Sequence, residues 1–151
     1  MKGYLVDTNI PSELTRERPD VQVAAFLDNA GQSRMFLSAL TIGEICKGIA
    51  ELPASQKRTG LQDWLDIEVR AWFAGRILPV TEAIAVRWGN LAAAAKQKGM
   101  TLAVVDGIIA ATALHHDLVV VTRNAKDFAG LGVEVFNPFE IGSPDPSPDI
   151  V

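Results

Sequence analysis

The sequence predicts a three-layer α/β/α domain built on a mostly parallel central sheet. Three short apolar runs, Tyr4-Leu5-Val6, Met35-Phe36-Leu37 and Val119-Val120-Val121, lack the polar alternation of a half-exposed strand. They read as strands covered on both faces. Longer amphipathic stretches separate them, as the crossovers of a parallel sheet require. Polar residues follow the runs: Asp7 after the first, Thr41 and Glu44 just past the second, Thr122 after the third. In an open parallel sheet that edge is where ligands bind.

The elements follow in order. After the opening strand, Pro11-Ser12-Glu13-Leu14 starts a short helix that runs out between Arg16 and Pro19. A second helix begins near Asp20, turns Val21, Val23, Ala24, Phe26 and Leu27 inward, and ends at Ala30-Gly31. Met35 to Ser38 is the next strand, and Thr41 to Glu51 is helical, closed by Pro53. From Ser55 to about Ala74 the apolar residues Leu61, Trp64, Leu65, Ile67, Val69, Trp72 and Phe73 predict one long amphipathic helix, ended by Gly75. Ile77 to Val80 is a short strand. Thr81 caps a helix through Lys98, with Ile84, Trp88 and Leu91 inside and Gly99 at its stop. Leu102 to Val105 leads into a helix from about Asp106 to His115, and Val119–Val121 and Val133–Phe136 are the last strands. Gly142 to Val151, with Pro144, Pro146 and Pro148, is expected to be a poorly ordered tail, which leaves residues 1–141 as the one domain.

Composition narrows the function classes. With 151 residues, 48% apolar and 21% charged, the chain can bury a full core and is not a disordered polyelectrolyte. A net charge of −4 argues against binding nucleic acid through a broad basic surface. A divalent ion among acids would invert the local charge, so a local site is still open. Cys46 is the one cysteine, which excludes an intramolecular disulfide and fits a reducing compartment. No apolar run approaches the roughly 18–20 residues of a membrane span, and no signal-peptide core opens the chain. A soluble, cytoplasmic protein with no membrane role is the expectation.

The candidate site is the set of polar residues beyond the strand ends: Asp7, Glu44, Asp106, then Thr122, Arg123, Asn124 and Asp127. Each has an ordinary structural reading. Asp7 or Asn9 suits a helix cap with Pro11 in the first turn. Thr41 and Glu44 fit a capping box, Asp106 an N-cap, and Asn124 and Asp127 a turn. Those readings leave the gathering of acids at one edge unexplained. Like charges in a partly buried cleft destabilise a fold unless something positive joins them. No basic residue of the motifs is a partner for all of them, although Arg123 is close in sequence. An all-oxygen donor set suits Mg²⁺, or Mn²⁺. Held by Asp7 and Asp106, such an ion predicts hydrolysis of phosphodiesters. Thr8, Asn9 and Thr122 would then orient the carboxylates or the scissile phosphate, with Arg123 and Lys47 beside them to meet a phosphate backbone.

At these residues the chain resembles PIN-domain ribonucleases, specifically the VapC/FitB-type toxins of bacterial type II toxin–antitoxin modules. The matching pieces are Leu5-Val6-Asp7-Thr8-Asn9 with Ser12-Glu13, Leu37 to Glu44, Ala74 to Pro79, Asp106 to Ala113, Val121-Thr122-Arg123-Asn124, and Val135 to Phe139. They span residues 3–139 in the family's order; Ala74 to Pro79 and Asn137-Pro138 favour the FitB-like branch. The resemblance implies a PIN-like domain over residues 1–141, with Asp7, Glu44 and Asp106 as metal-binding catalytic acids. A fourth family position falls on Asn124, and Asp127, three residues on, is the alternative. It also implies Mg²⁺-dependent cleavage of single-stranded RNA, a homodimer, and inhibition by a cognate VapB/FitA-like antitoxin through which operator DNA is met.

Other features read as structural. Trp64, Trp72 and Trp88 fall at helical spacing among aliphatic residues, which indicates core or dimer packing. His115-His116 sits at a helix end favourable to cations and has no partner at zinc-ligand spacing. Cys46 reads as a small buried side chain, and Arg70, Arg76, Lys96, Lys98 and Lys126 as solvated. There is no phosphate-binding P-loop. Two other functions compete with the nuclease. A phosphomonoester phosphatase working through aspartyl phosphate needs an acid two residues after Asp7, where Asn9 stands. A catalytically decayed PIN-like module acting within an antitoxin–DNA complex would lack acids that this chain keeps.

Overall fold

The computed structural model describes residues 2–140; the tail expected over 142–151 lies outside them. Five parallel strands form the sheet: β1 (Tyr4–Val6), β2 (Met35–Ser38), β3 (Ile77–Leu78), β4 (Val119–Val121) and β5 (Val135–Phe136), in the order β3-β2-β1-β4-β5. β1 is central, with Leu5 opposite Phe36 on one side and Val120 on the other. From β1 the chain winds outward through β2 and β3, then returns across β1 to β4. The strand order therefore reverses beside β1, and the crevice at such a switch point opens at its carboxyl end. Asp7 is the first residue beyond it.

Among the described residues seven α-helical segments cover the sheet: α1 (Asn9–Glu13), α2 (Val21–Ala30), α3 (Ala39–Ala50), α4 (Gln56–Asp63), α5 (Arg70–Trp72), α6 (Glu82–Gln97) and α7 (Val104–His116). The period-2 alternation of strand side chains divides the core in two. Val6, Val119 and Val121 point into the layer that contains Val23, Leu27, Ile45, Ile49, Leu65 and Val69. Leu5 and Val120 point into the opposite layer, against Ile109, Ala110 and Ala113 of α7, and Phe128. Both faces being covered is what the unbroken apolar runs predicted. Among the described residues no helix is long and apolar enough to cross a membrane.

Several boundaries differ from the sequence reading. α3 starts at Ala39, because the Ser38 side chain accepts from the Leu40 N–H. Thr41 is consequently buried inside the helix, its hydroxyl without a hydrogen-bond partner. α7 begins at Val104, two residues before the expected start, and places Asp106 in its first turn. The long helix has its expected extent, capped by Ser55, but Trp64–Val69 between α4 and α5 is wound as a π-helix. Gly75, at φ +78°, then turns the chain. Arg76 is not solvated: its guanidinium donates to the carbonyls of Gln32 and Met35, both at 2.6 Å, and of Trp72. It ties the end of this helix to the entry of β2. Cys46 is exposed, since the inward face of α3 passes through Thr41, Ile45 and Ile49, and Cys46 lies one residue round from it.

α6 packs on α7 through Trp88, whose indole occupies the space a side chain at Gly107 would need. A Cβ there would stand 2.7 Å from Trp88 Cδ1 and 2.9 Å from its Nε1. Gly107 follows Asp106 directly, so this contact also sets the position of α7's first turn. Gly107→Ala is expected to cost about 1–3 kcal/mol through this clash. Gly89→Ala in α6, where nothing lies within 4 Å, is expected to gain up to about 1 kcal/mol from helix propensity. Urea midpoints of the two variants check both signs.

Candidate active site

The residue after β1 is fixed by backbone before any side chain acts. The Asp7 N–H donates to the Val121 carbonyl at 2.9 Å, and the Thr122 N–H to Phe136 at 3.0 Å. The sheet ladder thus continues one residue beyond β1 and β4 and sets Asp7 beside Thr122. The Asp7 carboxylate does not cap α1. Thr8 occupies the cap position without a side-chain capping bond, and Asp7 Oδ1 accepts from the Thr8 N–H at 2.8 Å. Its Oδ2 accepts from the buried Thr122 hydroxyl at 2.9 Å.

Thr122 is the hub of the site. Its Oγ1 also accepts from the Asn124 N–H at 3.0 Å and from Asn9 Nδ2 at 3.3 Å. Asn9 Oδ1 in turn accepts from the Arg123 N–H at 3.1 Å. Thr8 and Asn9, read from sequence as orienting residues, therefore hold neighbouring protein groups. The Thr8 hydroxyl donates to Glu44 Oε1 at 3.0 Å, across 36 residues of chain. That bond, with Ser38 as the cap of α3, replaces the capping box suggested for Thr41 and Glu44.

Glu44 and Asp106 both hold protons more tightly than an ordinary carboxyl. For Glu44 the first cause is burial; the Asp7 charge adds to it, and the Thr8 hydrogen bond opposes it. For Asp106 burial again leads, followed by the charges of Asp7, Asp127 and Glu44. The charges of Asp7 after β1, Glu44 of α3 and Asp127 of the 3₁₀ turn Ala125–Phe128 thus all bear on Asp106 in the first turn of α7. Asp127 is felt at Asp106. Asn124 participates through its backbone N–H.

None of these four acids is paired with a lysine or arginine among the described residues. Lys47 pairs with Glu51 on the outer face of α3. Arg123 is turned to Glu13, at 3.5 Å, and stacks on the Phe139 ring with its guanidinium carbon 3.9 Å from the centroid. Among the described residues, no three His, Cys, Asp or Glu side chains converge as a ready-made metal cage. The donor set fits a different kind of ion: the candidate ligating atoms are all carboxylate oxygens. A hard cation that takes one or two carboxylates directly and keeps its waters suits that arrangement.

Glu13 was not singled out from sequence as a site residue. It is buried, 6% exposed, at the end of α1. The available signal was its spacing from Ile10, which places both on the inward face of the helix. A cavity of about 1180 Å³ runs between α1, α3 and the π-helical stretch. Its walls include Ile10, Leu14, Ile45, Ile49, Leu61 and Trp64, and it reaches Thr8 and Glu44 at the cluster.

With this geometry the comparisons fall into place. The PIN domain family model matches residues 4–133, and the chain belongs to that family. Among relatives, it is similar to "Toxin FitB" of Neisseria gonorrhoeae, 40% identical over 89% of this chain and 97% of that one. It is also similar to "VapC ribonuclease Y4jK" of Sinorhizobium fredii, 38% identical over 90% and 97%. Its fold is similar to the crystal structure of FitAcB from Neisseria gonorrhoeae, with TM-score 0.86, 39% identity, and 91% and 99% of the two chains covered.

The raised proton affinities have a consequence for stability. An acid that holds its proton more tightly folded than unfolded stabilises the fold at low pH, and that contribution is lost as pH rises through the raised value. Without metal, the folded protein at neutral pH therefore carries a penalty at Asp106. Asp106→Asn is expected to raise the melting temperature in EDTA at pH 7 by about 1–2 °C, a modest shift because solvent screens a partly exposed group. The difference should shrink toward pH 4. A lower melting temperature for the variant at pH 7 would contradict this account.

Proposed function

We propose that this chain is the toxin of a toxin–antitoxin pair and a Mg²⁺-dependent endoribonuclease that hydrolyses phosphodiester bonds of single-stranded RNA in the cytoplasm. The observation that carries the reading is that the charges of Asp7, Glu44 and Asp127 all bear on Asp106, with no basic partner for any of the four among the described residues. Kinship with a relative named as a ribonuclease supports the same chemistry.

In this reading Asp7 and Asp106 hold the ion, Glu44 completes the cluster, and Asp127 rather than Asn124 is the fourth acid. A bound Mg²⁺ (or Mn²⁺) supplies charge neutralisation at the phosphate and a more acidic bound water. The chain's own residues supply orientation. Thr8 and Thr122 each spend a donor on a carboxylate, so that Asp7 has both oxygens fixed and Glu44 one. Asn9 is committed to Thr122 and Arg123, which leaves it no part in an aspartyl-phosphate mechanism. The retained acids weigh against a decayed binding module. The apolar cavity, open to the cluster at Thr8 and Glu44, suits the amphipathic segment of a VapB/FitA-like antitoxin, and an occupant there would meet Glu44.

Cleavage of a mixed-sequence single-stranded RNA pool tests the reading. Wild type should cleave with Mg²⁺ and stop in EDTA. Asp7→Asn and Asp106→Asn should each lose activity by on the order of 100-fold or more while keeping a wild-type circular dichroism spectrum. Undiminished cleavage by either variant would overturn the assignment.

A further inference from the structure

An acid cluster repels a phosphate backbone, so the strand must be held by a cation beside it. Arg123 is one residue beyond Thr122 and half exposed, and three contacts fix it. Its backbone N–H is held by Asn9 and its carbonyl accepts from Asn137 Nδ2 at 3.1 Å. The third contact is the guanidinium itself, laid on Phe139 with Nη2 3.5 Å from Glu13 Oε1. Glu13 is the unusual partner, a carboxylate only 6% exposed that is itself held rigidly. Its Oε2 accepts from the Asp20 N–H at 2.9 Å, and its Oε1 also meets Arg16 Nη1 at 3.4 Å. A charge buried to this degree must be paired, and its pairing restricts where Arg123 can point.

We propose that Glu13 is a positioning residue that aims the Arg123 guanidinium at the phosphate backbone of the RNA strand lying along the acid cluster. The inference rests on the nuclease reading and adds to it a residue from α1, outside the acids. Arg123 contacts the strand; Glu13 acts only through Arg123. A flexible arginine would lose rotamer freedom on meeting a phosphate, and a guanidinium already stacked and paired has less to lose.

Sign makes the proposal testable. Removing a negative charge near a polyanion site should by itself strengthen RNA binding, whereas loss of positioning should weaken it. Binding is measured by fluorescence anisotropy of a labelled mixed-sequence single-stranded RNA 20-mer, in EDTA so that no cleavage occurs. Glu13→Gln keeps the size and an acceptor for the Asp20 N–H. It is expected to weaken binding by about 3–10-fold and to flatten the salt dependence; Arg123→Gln should lower the salt slope by about 1. The double variant should match Arg123→Gln alone, because Glu13 acts through that residue.

Unchanged or tighter binding by Glu13→Gln, or effects that add in the double variant, would overturn the proposal. A purely structural Glu13 would lower the melting temperature and leave the salt slope of the folded protein at the wild-type value. Arg123→Lys, which preserves charge without the planar stack, serves if Glu13→Gln folds poorly; wild-type binding by it would equally overturn the proposal. Absent cleavage with this binding pattern intact would count against the nuclease reading alone, and cleavage without the pattern against the role of Glu13 alone.

Discussion

Repulsion among Asp7, Glu44, Asp106 and Asp127 is the constraint on which the rest of the site depends. Four elements distant in sequence deliver these acids to the carboxyl edge of one parallel sheet, where burial and mutual charge raise the proton affinity of Glu44 and Asp106. A fold tolerates such a cluster only if the scaffold around it is rigid. Here the scaffold is the strand ladder, which carries hydrogen bonds past Val6 and Val121 to Asp7 and Thr122, and two apolar layers that fix the strands from both faces. Natural sites of this type give up stability where charge is needed for chemistry.

Orientation is supplied by hydroxyls rather than by opposite charges. Thr122 and Thr8 donate to carboxylate oxygens without neutralising them, so the cluster keeps its negative potential for an incoming cation. The Arg123 guanidinium is engaged by Glu13 and Phe139 and pairs with none of the four acids. Had Arg123 paired with Asp7 or Asp106, the repulsion would be quenched internally and the need for a cation removed. The apolar cavity reaches the edge of the cluster at Thr8 and Glu44, so the proposed partner segment would lie beside the proposed site.

Much of this was legible in the chain because apolar runs and their endings are local signals. Tyr4 to Val6 and Val119 to Val121 read as buried strands, and they are the middle of the sheet. Whether Asp7 was a cap or a site residue could not be read locally; the choice depended on Thr122, 115 residues away. Long-range bonds of that kind leave no periodicity behind. The same holds for Glu13, whose partner is Arg123, and for Arg76, whose acceptors are backbone carbonyls of two distant segments. Helix starts were misjudged where two capping residues competed: Ser38 took the position assigned to Thr41. The π-helical stretch at Trp64–Val69 left the amphipathic pattern intact and so carried no warning in the sequence.

If the acids form a single site whose repulsion a hard cation relieves, Mg²⁺ must stabilise the fold through them. Thermal melts during a Mg²⁺ titration test it without reference to RNA or activity. A saturable rise in melting temperature is expected for wild type, about 5–11 °C when Mg²⁺ reaches about 100 times its dissociation constant, with little or no rise for Asp7→Asn or Asp106→Asn. An equal rise in wild type and both variants, or none in wild type, would contradict it.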